Sequence, residues 1–220
     1  MFKRIRHGKP KAIKNMVGFP KEDVGKFAEL REAVYQEFFG PSDLVSHESI
    51  PLIPHIDIWI HPPGFRGRNF FTLVTNGMSD IPMNLESEVP KSYSRRELII
   101  YTADHQAAYV SLLRNIARFP FEYSTWVGVG HTIPNGNPPA PMFKDSELVS
   151  VIFFPAMLDL EQTLPQRVVL NGDPVEFLWL VPLTQTELDF KLEHGIEALA
   201  EELGKAKDWP VLDPNRKSSV

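Results

Sequence analysis

Apolar residues recur at helical spacing in three segments, and each pattern predicts a helix that packs on one side. The first pattern covers Lys21–Phe39 and ends at Gly40-Pro41, because proline cannot continue a helix and disfavours helical geometry just before it. The second covers Asp104–Phe119, with its first residue as the N-cap. The third begins at a capping box formed by Thr184 and Glu187. Its apolar side contains Leu188, Leu192, Ile196, Leu199 and Leu203, and its acidic side contains Glu187, Asp189, Glu193, Glu197, Glu201 and Glu202.

Other segments alternate apolar and polar residues or form short apolar runs, which is typical of strands. Leu52–Ile60 predicts a half-buried strand, and Pro54 favours a position at the edge of a sheet. Asn69–Thr75 is predicted to return beside it as a hairpin. The continuous apolar runs Val149–Phe154 and Val175–Val181 predict central strands that are covered on both faces. Two further strands are predicted over Glu97–Thr102 and Val127–Val129, and the proline-rich segment Thr132–Met142 is predicted to be a loop.

The order of these elements predicts an α+β fold, a mixed β-sheet with helices packed on it. The length of 220 residues and the 43% hydrophobic content fit one domain over residues 21–220, preceded by a basic arm over residues 1–20. The chain has no cysteine, which excludes disulfides, thiolate zinc sites and cysteine nucleophiles and favours a reducing cytoplasm. It has neither a secretory signal nor a run of about 18–20 apolar residues, so no membrane association is predicted.

The charge is divided unevenly along the chain. Six of the 23 basic residues lie in the first 14 positions, whereas all 28 acidic residues follow them. A body this acidic repels nucleic acid, whose binding requires clustered lysine and arginine. A basic protein or peptide is therefore the favoured partner.

Several stretches match one known family. Phe71–Met83 is similar to the T-x-G-M-S-D-x-P-M signature of bacterial Suppressor of fused-like domains, and Gly128–Gly136 resembles their G-H-T-x-P-N-G loop. Arg96–Ile100, Phe177–Thr184 and the tail Asp213–Ser218 resemble further family segments. The resemblance implies a single α+β domain that acts by protein–protein contact. In animals the related protein clasps a short extended peptide, and bacterial relatives include candidate immunity proteins for secreted toxins.

The turn Gly77-Met78-Ser79-Asp80 allows two interpretations. Ser79 could be a nucleophile with His131 as its base, but the G-x-S-x-G pattern is incomplete and no helix pattern follows. A structural turn explains the residues more simply: Gly77 supplies a positive φ, and Asp80 accepts nearby backbone N–H groups. We therefore predict a non-catalytic protein- or peptide-binding module with an immunity or regulatory role. The alternative is a small serine-type hydrolase that uses Ser79 and His131.

The predicted binding surface combines the Leu52–Ile60 edge with Gly77, Ser79 and Asp80 of the turn and with His131 of the proline-rich loop. Trp59 is either packed under a helix or exposed as an aromatic anchor for an added strand, and the binding hypothesis uses the second alternative. His55, Asp57 and His61 share one face of this strand, but the first and last would lie about 20 Å apart. No metal or other cofactor is predicted.

Overall fold

The computed structural model describes residues 21–50, 52–157 and 164–220; the predicted arm over residues 1–20 lies outside them. The first helix, α1, covers Lys21–Phe39, the range that the sequence predicts. The second, α2, covers Ala107–Glu122, and Asp104 precedes it without being its N-cap. The strands are β1 (Val45–Ser46), β2 (Asp57–His61), β3 (Phe71–Asn76), β4 (Arg96–Thr102), β5 (Thr132–Pro134), β6 (Leu148–Pro155), β7 (Val169–Leu170), β8 (Asp173–Pro174) and β9 (Glu176–Thr184). The remaining helices are α3 (Leu164–Arg167), α4 (Gln185–His194) and α5 (Ile196–Gly204).

Seven strands form one mixed sheet in the order β1-β2-β3-β4-β9-β6-β5. Strands β4 and β9 run parallel, and every other neighbouring pair in this sheet is antiparallel. The two continuous apolar runs, in β6 and β9, lie in the interior of the sheet as predicted. The α+β class with a mixed sheet is thus confirmed.

Side chains alternate between the two faces of the sheet along each strand, and helices cover both faces. Helix α2 packs on the face that carries Ile58, Leu73, Leu98 and Ile100. Helices α1 and α5 pack on the opposite face, which carries Val74, Ile99, Tyr101 and Trp179. Each face therefore has its own buried apolar core, and the interior strands read as uninterrupted apolar runs.

The predicted last helix is two helices. The capping box of Thr184 and Glu187 is present, but Gly195 adopts φ 92° and ψ 175° and separates α4 from α5. The continuous apolar face therefore does not form, and Leu192 is exposed. Glu187, predicted on the acidic outer face, is fully buried and pairs with Arg216 of the C-terminal segment.

The predicted sheet edge is also wrong. Strand β2 lies between β1 and β3, and Ser42–Glu48 supplies hydrogen bonds along its outer side: the Ser42 hydroxyl donates to the Ile60 carbonyl, and the Ile60 N–H donates to the Leu44 carbonyl. At the other end of the sheet, Val127–Val129 is not a strand, and the short strand β5 forms within the predicted loop. The two edges are therefore β1 and β5.

The C-terminal segment contributes to the sheet region. Strands β4 and β9 pair over Arg96–Ile99, and beyond this point Leu212 forms a parallel bridge with Thr102 and donates its N–H to the Tyr101 carbonyl at 2.8 Å. Arg216 then donates to the Pro182 carbonyl on β9. Within the described residues, no helix is long and apolar enough to cross a membrane.

Candidate functional site

The turn after β3 begins with a close backbone contact. Gly77 has φ 124°, a conformation that glycine adopts without strain. A Cβ at this position would lie 1.9 Å from the His55 carbonyl oxygen, so any larger residue would push the turn away from the segment that precedes β2. Gly77 therefore joins the turn Gly77–Asp80 to the loop between β1 and β2.

Glu97 lies under this turn and holds its polar groups. Its carboxylate is fully buried and accepts the N–H of Gly77 at 3.1 Å and of Ser79 at 3.0 Å. It also accepts the hydroxyl of Ser79 at 2.6 Å and the hydroxyl of Thr75 on its other oxygen. The Glu97 side chain, on the central strand β4, thus accepts hydrogen bonds from two amides and two hydroxyls.

Arg31 of α1 provides the positive charge that this carboxylate requires. Its guanidinium is 3.8 Å from Glu97, donates to Asp80 at 2.6 Å, and donates to the Asn76 side chain and to the Ser79 hydroxyl. A buried charge is tolerated only when it is paired and hydrogen-bonded. Arg31, Glu97 and Asp80 therefore form one buried network that fixes α1 to the turn.

Burial and pairing act in opposite directions on these groups. Burial raises the pKa of the Glu97 carboxyl, and Arg31 together with the hydroxyl and amide donors opposes that rise. Burial likewise raises the pKa of Asp80 against the opposing effect of Arg31. Burial alone would lower the pKa of Arg31, but the two carboxylates outweigh it and raise that pKa. Arg31 is therefore charged throughout the accessible pH range.

The structure changes the predicted role of Asp80. The N–H groups of the turn donate to Glu97, whereas Asp80 accepts from Arg31. The carbonyls of Ser79 and Asp80 accept from Arg95, at 2.6 and 3.0 Å. Asp80 thus ties the turn to α1, and Glu97 organises its backbone.

Ser79 and His131 do not meet. The Ser79 side chain is buried on the α1 face, where it donates to Glu97 and accepts from Arg31. The His131 ring lies 4.3 Å from the ring of Trp126, which packs on the α2 face. Three strands separate β3 from β5, and four strand spacings amount to about 19 Å. The catalytic pair that a serine hydrolase would need is not formed by these two residues.

Trp59 is packed in the core on the α1 face, with 8% of its surface exposed. Its ring stacks on that of His61, which is fully buried and bonds the Gly40 carbonyl through Nδ1 at 2.7 Å. The first of the two predicted alternatives for Trp59, packing under a helix, describes this position. A partner could not reach the ring, so Trp59 is not part of the binding surface proposed below.

The loop between β1 and β2 (residues 47–56, with 51 outside the described residues) has a polar base fixed from several sides. The Glu48 carboxylate accepts the Ile56 N–H and pairs with Arg118 of α2. Arg114 of α2 donates to the carbonyls of Ser46 and Ile56, at 2.7 and 3.0 Å. The base of the loop is therefore held by α2 and, through Gly77, by the turn.

The same loop carries an apolar tip, which consists of Ile50, Leu52 and Ile53. Their side chains are 66%, 47% and 54% exposed, and Leu44 at the start of β1 is also exposed. Isolated exposed apolar residues are common, but three within four positions on an anchored loop form a local exposed apolar patch.

The histidine and aspartate side chains that share the predicted strand face do not all gather around one point. Asp57 is bound by His47 at 2.9 Å and by His55 at 3.1 Å, and His61 is turned away into the core. Over the described ranges, no group of three or more His, Cys, Asp or Glu side chains could hold a metal ion.

Sequence reasoning missed Arg31, Glu97 and the apolar tip. The available signal for Glu97 was a charged residue inside the apolar strand Arg96–Thr102, since a charge in a buried strand requires a partner. The available signal for the tip was the pair Leu52-Ile53 between two prolines, where apolar residues cannot continue a strand into the core.

Comparison with known proteins agrees with this architecture. The model of the family described as Suppressor of fused protein (SUFU) matches residues 53–217, which is more than half of the chain. The protein therefore belongs to the Suppressor of fused family. A search of curated proteins finds no match.

The fold is shared with solved structures that include the following three. A SUFU homolog from Neisseria gonorrhoeae has a TM-score of 0.66 at 19% identity, and the match covers 89% of this chain and 98% of that chain. The structure described as the Sufu-Fu complex has a TM-score of 0.61 at 16% identity, covering 89% and 91%. Drosophila Suppressor of Fused has a TM-score of 0.57 at 15% identity, and here the match covers 87% of this chain but 50% of that chain.

Proposed function

We propose that this protein is a non-catalytic protein-binding module with an immunity or regulatory role, and that its partner packs on the apolar tip of the β1–β2 loop. The observation that carries the proposal is the contrast within this loop. Ile50, Leu52 and Ile53 are exposed, while Glu48, Arg114 and Arg118 fix its base. A preformed apolar surface binds with a smaller loss of conformational entropy than a mobile one.

The buried network supports this role from below. Because Gly77 touches the His55 carbonyl, the turn that Glu97 organises forms one wall against the loop. The turn Gly77–Asp80 therefore positions the binding surface without itself being exposed to the partner. The Suppressor of fused family and the similarity to a structure solved as a Sufu-Fu complex support protein binding as the class of function.

The partner is a protein that offers an apolar groove bordered by basic groups. The apolar tip fits such a groove, and the acidic excess of the chain favours a basic border. The partner's identity decides between the two roles: a secreted toxin indicates immunity, and a transcriptional or signalling protein indicates regulation.

The test begins with affinity capture and identification of the partner, followed by titration calorimetry. In the double variant Ile50→Ser/Ile53→Ser we expect a loss of about 2–3 kcal/mol of binding free energy, or roughly 30- to 150-fold in Kd, from the apolar area that the partner no longer buries. Leu192→Ser is the matched control, because Leu192 is 52% exposed on α4, far from the loop in sequence.

The control variant should bind the partner as tightly as the parent protein does. Circular dichroism should show that both variants are folded. If the folded double variant keeps the parent's Kd, or if Leu192→Ser weakens binding equally, the loop is not the binding surface.

A further inference from the structure

A second site lies at the opposite end of β3 and β4 from the turn Gly77–Asp80. The loop after β4 and the C-terminal segment border a cleft of about 760 Å³. Asp104, Asp208 and Asp213 contribute three carboxylates to its lining, and Lys207 contributes the one ammonium group among the lining residues. All three carboxylates belong to exposed residues, so the cleft favours a cation.

Local hydrogen bonds orient two of the three carboxylates, those of Asp104 and Asp213, and leave both able to accept more hydrogen bonds. Asp104 accepts from the Gln106 side chain at 2.8 Å, and Asp213 accepts the Asn215 N–H at 2.8 Å on one oxygen. An ionised carboxylate offers about four lone-pair sites, so each group can accept further hydrogen bonds from a ligand.

Tyr109 gives an independent indication of a ligand. This residue of α2 lines the cleft, yet only 3% of its surface is exposed, and its ring packs edge-on against Phe143 at 5.7 Å. Its hydroxyl is not enclosed: it makes no hydrogen bond to another described residue and opens onto the cleft, where it can accept one from a ligand. Burial raises its pKa, and the charges of Asp104 and Asp213 add to the rise, so the hydroxyl lies within the field of both.

Aromatic side chains form further walls of the cleft. Trp209 packs on Trp179 with ring centroids 4.6 Å apart, and Phe70 packs on Tyr101 at 5.4 Å. Because both partners lie in the buried core of the sheet, the two aromatic walls are fixed before a ligand arrives. A cation above an aromatic face is attracted by the negative charge of the ring.

We propose that this cleft binds an arginine side chain of a partner protein, with the Tyr109 hydroxyl and the carboxylates of Asp104 and Asp213 as hydrogen-bond acceptors. A guanidinium carries five N–H donors in one plane, which suits several acceptors around an aromatic-walled cleft better than a lysine ammonium does. The inference rests on the proposed function only in assigning the arginine to a protein partner. The cleft is a separate contact from the apolar tip.

The experiment is an NMR titration of the full chain, observed through backbone amides, with arginine blocked at both termini. We expect saturable shifts confined to residues 104–109 and 207–215. Blocked citrulline, which has the same shape without the charge, should produce none, and blocked lysine should bind more weakly. The double variant Asp104→Asn/Asp213→Asn and the variant Tyr109→Phe should each weaken arginine binding by about tenfold, the effect of losing a charge-assisted hydrogen bond.

Asp189→Asn is the matched control, because Asp189 is an exposed carboxylate on α4 that accepts from the Gln185 side chain at 2.8 Å, as Asp104 accepts from Gln106. It should bind arginine like the parent. Shifts spread over the whole acidic surface, or equal affinity in the parent and the Asp104→Asn/Asp213→Asn variant, would overturn the proposal. The titration is independent of the partner, so its failure leaves the test of the apolar tip intact, and Ile50→Ser/Ile53→Ser should not change it.

Discussion

Replacing Glu97 by glutamine tests how far the buried network determines the turn after β3. The substitution preserves the shape of the side chain but exchanges one acceptor oxygen for an NH2 group. One carboxylate oxygen accepts from Gly77 and from the amide and hydroxyl of Ser79, and the other accepts from Thr75. With the NH2 group towards Gly77 and Ser79, it would face two backbone N–H donors; with it towards Thr75, that hydroxyl would have to turn and accept instead of donate.

The magnitude follows from the burial of the site. Breaking a buried ion pair from one side costs about 3–5 kcal/mol, because the remaining charge stays buried. Arg31 keeps Asp80 as a partner at 2.6 Å, so the lower end of that range applies. We therefore expect Glu97→Gln to lower the free energy of unfolding by about 3 kcal/mol.

Urea unfolding followed by circular dichroism measures this change; with a slope of about 2–3 kcal/mol/M, the midpoint should fall by about 1–1.5 M. Glu147→Gln is the control, because its carboxylate pairs with Lys217 at 2.6 Å and both side chains are exposed. Its expected cost is below about 1 kcal/mol. If Glu97→Gln and Glu147→Gln unfold at the same urea concentration, the buried carboxylate does not organise the turn.

Two further predictions concern pH. Burial lowers the pKa of His61 to about 4, against about 6.5 in the unfolded chain, so the folded state binds fewer protons. About 3 kcal/mol of stability is therefore lost as the pH falls across that interval. Urea midpoints measured between pH 7 and pH 4 should decline less steeply in His61→Phe than in the parent protein. Burial alone would raise the pKa of Glu187, but hydrogen bonds from Arg216 outweigh burial and lower that pKa. The stability that the ionised carboxylate contributes is therefore complete above the ordinary glutamate pKa of about 4.3 and is lost as the pH falls below that pKa. Arg216→Met should cost about 3–5 kcal/mol at pH 7 and remove this acid dependence, whereas Lys217→Met, which breaks an exposed pair with Glu147, should leave both unchanged.

The elements that could be predicted from the sequence have local causes. The end of α1 follows from Gly40-Pro41, and the start of α4 follows from a capping box whose donors and acceptors are three residues apart. The interior strands β6 and β9 follow from uninterrupted apolar runs. In each of these cases the neighbours along the chain decide the structure.

The remaining features depend on residues that are distant in the sequence. The edge position predicted for Leu52–Ile60 was wrong because the segment before it forms β1 and pairs with β2. Strand β1 has only two residues, which is too short for an alternating pattern to be recognised in the sequence. The helix break at Gly195 was hidden by an apolar spacing that continues through it. Arg31 and Glu97 are on different elements, and only the folded sheet brings them together under the turn.

The packing around Ser79 separates the two functions that its motif allows. A serine nucleophile must be reached by substrate and must lose its proton to a neighbouring base. Ser79 is fully buried, and its hydroxyl already donates to Glu97 and accepts from Arg31. The hydroxyl therefore closes the network that joins Arg31 of α1 to Glu97 of β4, in a position that is closed to solvent. The same carboxylate accepts the Gly77 N–H, so the serine belongs to the set of hydrogen bonds that places Gly77 against the His55 carbonyl.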